Sequence, residues 1–279
     1  MTYTIDKSNE LGPDNPSLVT AANLLFPNLT KDLAYNWAIN QKVTAKQQLD
    51  GGIRYLDLRL ATKKHDDKFY FVHGLYGSEI QQPLKEVADW LALHPSEVII
   101  LDFQHFYNFT ESHHRDLVYL LKNLFRGKLC PRINPPGSVT LNWLAAKNLQ
   151  VLIIYRHYSI TPDDNFWLDR LWPTPWPETV SRSRLIRFLN DGVKNRDRTI
   201  GFTSQAILTP DQRYITRHLF ENTERALLKK MKRPTIDWVN SNYPGIAGGM
   251  NVVMTDFVSS EEFLFSKAVI QRNEKFLIG

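Results

Sequence analysis

Asp57 and Arg59 stand two residues apart in the apolar run GGIRYLDLRL, and His73 ends the next such run, FYFVHG. These three residue types together handle phosphate. A guanidinium holds phosphoryl oxygens, an imidazole moves a proton, and a carboxylate orients either one. A spacing of two puts Asp57 and Arg59 on the same face of a strand. A buried arginine is costly unless it meets anions, so the pair reads as a phosphate clamp or as a structural ion pair. His73 precedes Gly74, which lets backbone or ligand approach closely. It reads as a general acid or as a hydrogen-bonded core histidine. More polar residues recur at strand ends: Gln104 and His105, Arg156 after VLIIY, Gln205, and Asp256 in NVVMTDF. Gln104 suits a sugar hydroxyl or a strand cap. His105, His113 and His114 match no zinc spacing and read as surface histidines.

The elements that must position these residues alternate along the chain. Strand-length apolar runs at 53–60, 69–73, 97–104, 150–155, 199–208 and 251–257 are separated by amphipathic segments at 30–49, 83–94, 111–126, 139–147, 181–191, 212–231, 234–241 and 260–272. Repeated strand and helix imply a parallel sheet covered on both faces. A Gly-rich phosphate turn after the first strand, the mark of an open doubly wound sheet, is missing. Polar residues at the C-terminal ends of strands favour a closed (β/α) barrel, whose active site lies at that end. The segment 161–178 carries Trp167, Trp172 and Trp176 among prolines and reads as a long aromatic loop; 1–29 reads as irregular.

Composition sets the frame. The 279 residues are 43% hydrophobic with net charge +5, which fits one domain with a sizeable core and a mild attraction for anionic surfaces. No aromatic-interleaved basic stripe argues for nucleic acid. One cysteine, Cys130, excludes an internal disulfide and suits a reducing compartment; beside a proline it reads as a small hydrophobe. No apolar run reaches the roughly 18 residues of a membrane span, and the polar N-terminus lacks a secretory signal. The expectation is a cytoplasmic protein.

The segments GGIRYLDLRL, FYFVHGLYG, HPSEVIILDFQHFY, KLCPR, QVLIIY, SQAILTP and NVVMTDFV, in this order and spacing, resemble the phosphatidylinositol-specific phospholipase C X-domain-containing proteins. These are small eukaryotic relatives of bacterial phosphatidylinositol-specific phospholipase C. The resemblance runs from about Thr2 to Phe276. It implies an α/β fold, a distorted TIM-type barrel, in a single 1–279 domain. It also implies a phosphoric diester hydrolase of lipid metabolism and signalling that cleaves inositol phospholipid. In the family's mechanism a first histidine takes the proton from the inositol 2-hydroxyl, which attacks phosphorus. A second histidine protonates the departing diacylglycerol oxygen, and an arginine neutralises the phosphoryl charge. By motif, His73 matches the second histidine, Arg59 the phosphate arginine, Asp57 the nearby acid and Asp256 the carboxylate that orients the first histidine. Arg156 matches the head-group arginine, and Trp176 or Trp172 a stacking wall; Gln104 and Gln205 are further candidates for substrate binding.

Two departures modify that expectation. Calcium-dependent relatives carry acidic ligands where this chain has Arg59 and Gln104. A cation there would meet a fixed positive charge, so no calcium requirement and no cofactor is expected. The family's first histidine lies in a Gly-Ser-His-Asp motif immediately before the residues matching Met1-Thr2-Tyr3, and this sequence has none. The expectation is a truncated form without the opening strand, two strand edges left open, and roughly 10²–10⁴ lost in rate with the general base. Residues 4–20 are too polar to replace that strand. The alternative is a non-catalytic binder of phosphoinositide or inositol phosphate. The expected partner is that lipid or its head group, with transient membrane contact in which Phe166 and Trp167 either take part or pack inside. No obligate protein partner is expected.

Overall fold

The computed structural model describes residues 5–6, 9–15, 19, 24–160, 163–245 and 249–274; of the predicted irregular segment 1–29 and aromatic loop 161–178, the remaining positions lie outside the described residues. Two helices, α1 (Pro27–Ala38) and α2 (Ala45–Asp50), precede the first strand. The apolar spacing over 30–49 predicts one helix. The chain instead breaks at Ile39, and a reciprocal Thr44–Gln47 capping box restarts it at Ala45. Three strands follow directly, β1 (Tyr55–Lys63), β2 (Asp66–His73) and β3 (Leu75–Glu79). Then come α3 (Gln81–Leu93), β4 (Ile99–Tyr107), α4 (Glu111–Leu124), α5 (Leu141–Ala146) and β5 (Val151–Tyr155).

These strands form one sheet in the order β3-β2-β1-β4-β5. The β1–β4 and β4–β5 pairs are parallel, whereas β1–β2 and β2–β3 are antiparallel. The all-parallel expectation therefore fails in the first third of the chain. The reason is connection length: Lys64–His65 and Gly74 are too short for a crossover and allow only hairpins. The alternation inside β1 sets the layers. Leu56, Leu58 and Leu60 are fully buried against α3 and α4, while Asp57, Arg59 and Ala61 take the opposite, inner face. Leu84, Val87, Trp90 and Leu91 of α3 supply the complementary stripe.

The second half is helix-rich: α6 (Arg182–Asn195), β6 (Thr203–Gln205), α7 (Gln212–Arg217), α8 (Lys229–Ser241), β7 (Val252–Met254) and α9 (Ser260–Glu274). β6 and β7 pair in parallel. Both are shorter than the apolar runs at 199–208 and 251–257 predict. Pro234 lies inside α8, where the pattern predicts a break. The aromatic loop turns out to be a wall. Trp167 bonds through its backbone to Ile153 and Tyr155 of β5, and Leu171 and Pro173 accept from Gly201 and Thr203. Phe166 and Trp167 are buried, so they pack inside rather than face a membrane. Tyr55, Ile154, Trp167 and Trp172 form an inner cluster against which Val252 and Met254 pack. Cys130 is buried, and burial pushes its thiol up to about 12.

Candidate active site

β1 is the middle of the site. Its inner-face residues stand beside partners on β4: Asp57 beside Asp102, Arg59 beside His105, Ala61 beside Tyr107. The register slips between Leu58 and Arg59, because β4 carries an extra residue, Gln104, between Phe103 and His105. Such a bulge re-aims the side chains beyond it. His105 thereby joins the row of Arg59 instead of pointing away from it.

The Arg59 Nε lies 3.7 Å from Asp57 Oδ1, a loose pair within a nearly enclosed setting. That Nε is buried without a hydrogen bond among the described residues. The guanidinium carbon sits 5.7 Å from the centre of the Trp176 ring, a cation–π contact. Trp176 is held in turn by its indole N–H, which donates to Thr209 Oγ1 at 2.6 Å. Burial pushes Asp57 upward, but the surrounding positive charge, Arg59 included, outweighs it and keeps the carboxyl below its ordinary value. Arg59 is thus a fixed cation with an unfilled donor, the state in which an anion is bound strongly.

His73 arrives by antiparallel pairing. Leu60 faces Phe71, so His73, two residues on, comes level with Leu58 on the flank of β1 opposite β4. The strand-end rule that predicts its place therefore does not operate here, because β2 runs the other way. Gly74 follows with φ of 70°, and a Cβ there would lie 2.7 Å from the Ala38 methyl. That close approach lets the end of α1 reach the imidazole, and His73 Nδ1 hydrogen-bonds the Ala38 carbonyl. A carbonyl only accepts, so Nδ1 carries the proton and Nε2 is the lone-pair nitrogen of the neutral ring. Burial first, then the Arg59 charge, pushes the imidazole down to about 3.

Asp256 follows β7. Its Oδ1 accepts from Asn40 Nδ2 at 3.1 Å, and Asn40's carbonyl accepts from the Phe257 N–H. Burial pushes its carboxyl up to about 6, with Asp57 adding to the rise and Arg59 opposing it. Asp57 and Arg59 each interact electrostatically with His73 and with Asp256, so the β1 pair is what links the other two.

Arg156 and Gln205 are committed to other tasks. Arg156 Nε and Nη2 form a fork on Asp102 at 2.8 and 2.7 Å. Nη2 also donates to the Trp172 carbonyl at 2.9 Å and to Thr174 Oγ1. Asp102 is fully buried and accepts further from Tyr55 Oη and from Gln104 Nε2 at 2.8 Å. Gln205 Nε2 donates to the Thr174 and Pro175 carbonyls at 2.8 and 3.2 Å. Arg156 and Gln205 thus anchor the chain just before Trp176. Asp102 is the residue that sequence reasoning missed. It lies in an apolar run, and a carboxylate at that position was the available signal. His114, expected at the surface, is buried; it stacks on His157 at 3.7 Å and bonds Tyr155 Oη.

On the side of Tyr55–Asp57 away from β4, no described strand pairs with β1. A cavity of about 740 Å³ opens there between β1 and β7, lined by Gln41, Tyr55, Asp57, Val253, Thr255 and Phe265 among others. Ile5 and Leu11 do extend the sheet, but elsewhere: they bridge to Gly77 and Leu75 at its outer edge. Among the described residues, no three His, Cys, Asp or Glu side chains converge as a metal-binding group, and no described helix is long and apolar enough to cross a membrane.

The chain matches no family model. It is 37% identical over 276 residues to mouse PI-PLC X domain-containing protein 2, covering 98% of this chain and 79% of that one. The human PI-PLC X domain-containing proteins 3 and 1 are 33% and 31% identical, with 99% of this chain and 85% of each relative covered. Among solved structures, phosphatidylinositol-specific phospholipase C from Listeria monocytogenes superposes with a TM-score of 0.61 at 17% identity, over 88% of this chain and 87% of that one. A Staphylococcus aureus phosphatidylinositol-specific phospholipase C gives 0.62 at 13% identity, over 85% of each chain. The superpositions establish the distorted TIM-type α/β barrel, and the sequence relatives establish that this chain belongs to the PI-PLC X domain-containing proteins.

Proposed function

We propose that this site binds the phosphodiester of an inositol phospholipid and cleaves it as a phosphoric diester hydrolase, releasing diacylglycerol and an inositol phosphate. The observation that carries the reading is the convergence of Arg59, Asp57, His73 and Asp256 at one rim, with a guanidinium donor left unfilled. In this reading Arg59 takes a phosphoryl oxygen and Asp57 holds it in place. His73 Nε2 faces the leaving oxygen. The substrate's own negative charge offsets Arg59 and raises His73 toward the protonated form a general acid needs. Arg156 Nη1, the nitrogen outside its bonds to Asp102, together with Gln104 and Trp176, is left for the head group. No step requires a metal ion.

One observation favours a second reading, a binder without turnover. His73 is held neutral and pinned to a carbonyl. The two readings separate in one assay: release of water-soluble inositol phosphate from phosphatidylinositol in detergent micelles, with EDTA present. Hydrolysis predicts product that falls roughly 10²–10³-fold in Arg59→Ala. Retained lipid binding with zero product selects the binder, and loss of product with EDTA alone refutes the metal-free mechanism.

A further inference from the structure

We infer that Asp14 is a positioning residue for His73, fixing the direction of its imidazole through the main chain of Gly74. This role presupposes the phosphodiesterase reading above, in which His73 gives a proton to the leaving oxygen.

His73 pairs directly with Leu75, so Gly74 alone makes the turn between β2 and β3. A turn of one residue points its N–H and C=O away from the ladder, and such groups need partners from elsewhere. Residues 12–15 supply partners for both. Asp14 Oδ2 accepts from the Gly74 N–H at 2.8 Å. The Gly74 carbonyl accepts from the Gly12 N–H at 2.9 Å and from Asn15 Nδ2. The N–H held by Asp14 belongs to the rigid peptide plane that joins His73 to Gly74. Fixing that plane fixes ψ of His73, and with it the direction in which the side chain leaves the strand. The ring itself is held by the Ala38 carbonyl. The imidazole therefore has two anchors, one on its backbone and one on its ring, and the Asp14 carboxylate makes the first.

Close packing sets the place of Asp14. A Cβ on Gly12 would overlap both Asp14 Oδ1 and the Val72 side chain, so glycine at 12 lets this segment come down on β2. Val72 is fully buried and, by the register that pairs Leu60 with Phe71, comes level with Arg59. The carboxylate is within electrostatic reach of Arg59 and of Tyr107. Its Oδ1 is buried without a hydrogen bond among the described residues. Burial pushes the carboxyl up, while the Gly74 N–H and the Arg59 charge oppose that rise. Water could cap Gly74 at an open turn. Here a carboxylate is enclosed at a desolvation cost, and a charged acceptor holds an N–H roughly twice as strongly as a neutral one.

Other residues of the segment grip β3 instead of the turn. Ile5 and Leu11 bridge to Gly77 and Leu75, the Glu10 carbonyl accepts from the Tyr76 N–H at 3.0 Å, and Asn9 Nδ2 donates to the Tyr76 carbonyl at 2.9 Å. Asn9 is thus a natural control, a comparable bond that does not reach residue 74.

The test is steady-state hydrolysis of phosphatidylinositol in detergent micelles with EDTA, using the full 279-residue chain. Asp14→Ala should lower kcat by about 10–10²-fold, the scale of a misplaced catalytic group, with KM changed less than about threefold. Asp14→Asn keeps an oxygen for the Gly74 N–H and should restore kcat to within about threefold of wild type. Asn9→Ala should match wild type in kcat. In ¹³C-histidine NMR spectra without ligand, the His73 ring resonance should move in Asp14→Ala and stay in place in Asn9→Ala. In the unmodified protein the Gly74 amide should be protected from hydrogen exchange; exchange at the rate of an open turn overturns the inference whatever the variants do. Wild-type kcat in Asp14→Ala, beside loss of product in Arg59→Ala, shows the assignment wrong and leaves the phosphodiesterase reading standing. Equal losses of kcat in Asn9→Ala and Asp14→Ala also overturn it, since general loosening of the segment then explains both. If wild type releases no product, the phosphodiesterase reading falls and the His73 resonance alone decides: unmoved in Asp14→Ala, it overturns the positioning role.

Discussion

Replacing Asp102 by alanine should cost more stability than any other single change around the site. The carboxylate is fully buried and accepts two bonds from Arg156, at 2.8 and 2.7 Å, besides those from Tyr55 and Gln104. The Arg156 side chain is itself only 15% exposed. Removing the acid leaves an uncompensated guanidinium inside the barrel, which costs about 3–5 kcal/mol. A domain of this kind is stable by about 5–15 kcal/mol, so the variant should be marginally folded. Urea unfolding at pH 7 measures the loss as a lower midpoint at unchanged m. The double variant Asp102→Asn, Arg156→Gln removes both charges, and its cost should fall short of the sum of the singles by about 2 kcal/mol. Arg156 also holds the Trp172 carbonyl and Thr174. Arg156→Gln should therefore loosen the following segment and shift tryptophan emission to the red. An Asp102→Ala cost below about 1 kcal/mol, or full additivity in the double variant, would refute the idea that this pair buttresses the rim.

Titration provides two further checks of opposite sign. His73 is pushed down to about 3, so the folded state binds fewer protons than the unfolded one between there and 6.5. The stability this contributes is present above pH 6.5 and is lost as pH falls toward 3, by at most about 1.4 kcal/mol per pH unit. His73→Gln should lack that acid loss, and parallel pH–stability curves for the two proteins would contradict it. Asp256, pushed up to about 6, works the other way. Its contribution is present below its ordinary value and is lost as pH rises through 6, so Asp256→Asn should gain on wild type between pH 4 and 7. Trp176→Ala removes the ring over Arg59 and should weaken inositol 1-phosphate binding by about 2–5-fold in calorimetry, the worth of an exposed cation–π contact; an unchanged affinity would mean the ring is idle.

The pattern of the chain disclosed some of this and hid the rest for definable reasons. Asp57 and Arg59 could be read as a same-face pair because β1 is regular up to that point, with Leu56, Leu58 and Leu60 marking its buried face. His73 was legible as a residue but not as a position, since hairpin connections reverse β2 and nothing in an apolar run gives strand direction. His105 was hidden by one inserted residue: a bulge leaves hydrophobicity unchanged and shifts every later side chain to the other face. Arg156 looked like a ligand arginine because its fork partner, Asp102, lies 54 residues away, a contact set by the β4–β5 pairing. Ile5, Glu10, Leu11 and Gly12, in a segment read as irregular, reach the sheet through backbone groups, which any side chain permits.

The central claim is that Arg59 is the phosphate-binding cation of one rim shared by Asp57, His73 and Asp256. A crystal structure of the chain with inositol 1-phosphate tests it most directly. The account predicts the phosphate on the Arg59 guanidinium, with His73 beside it and Trp176 against the guanidinium. Phosphate bound at a different place on the barrel, with Arg59 still turned to Asp57 alone, would contradict it.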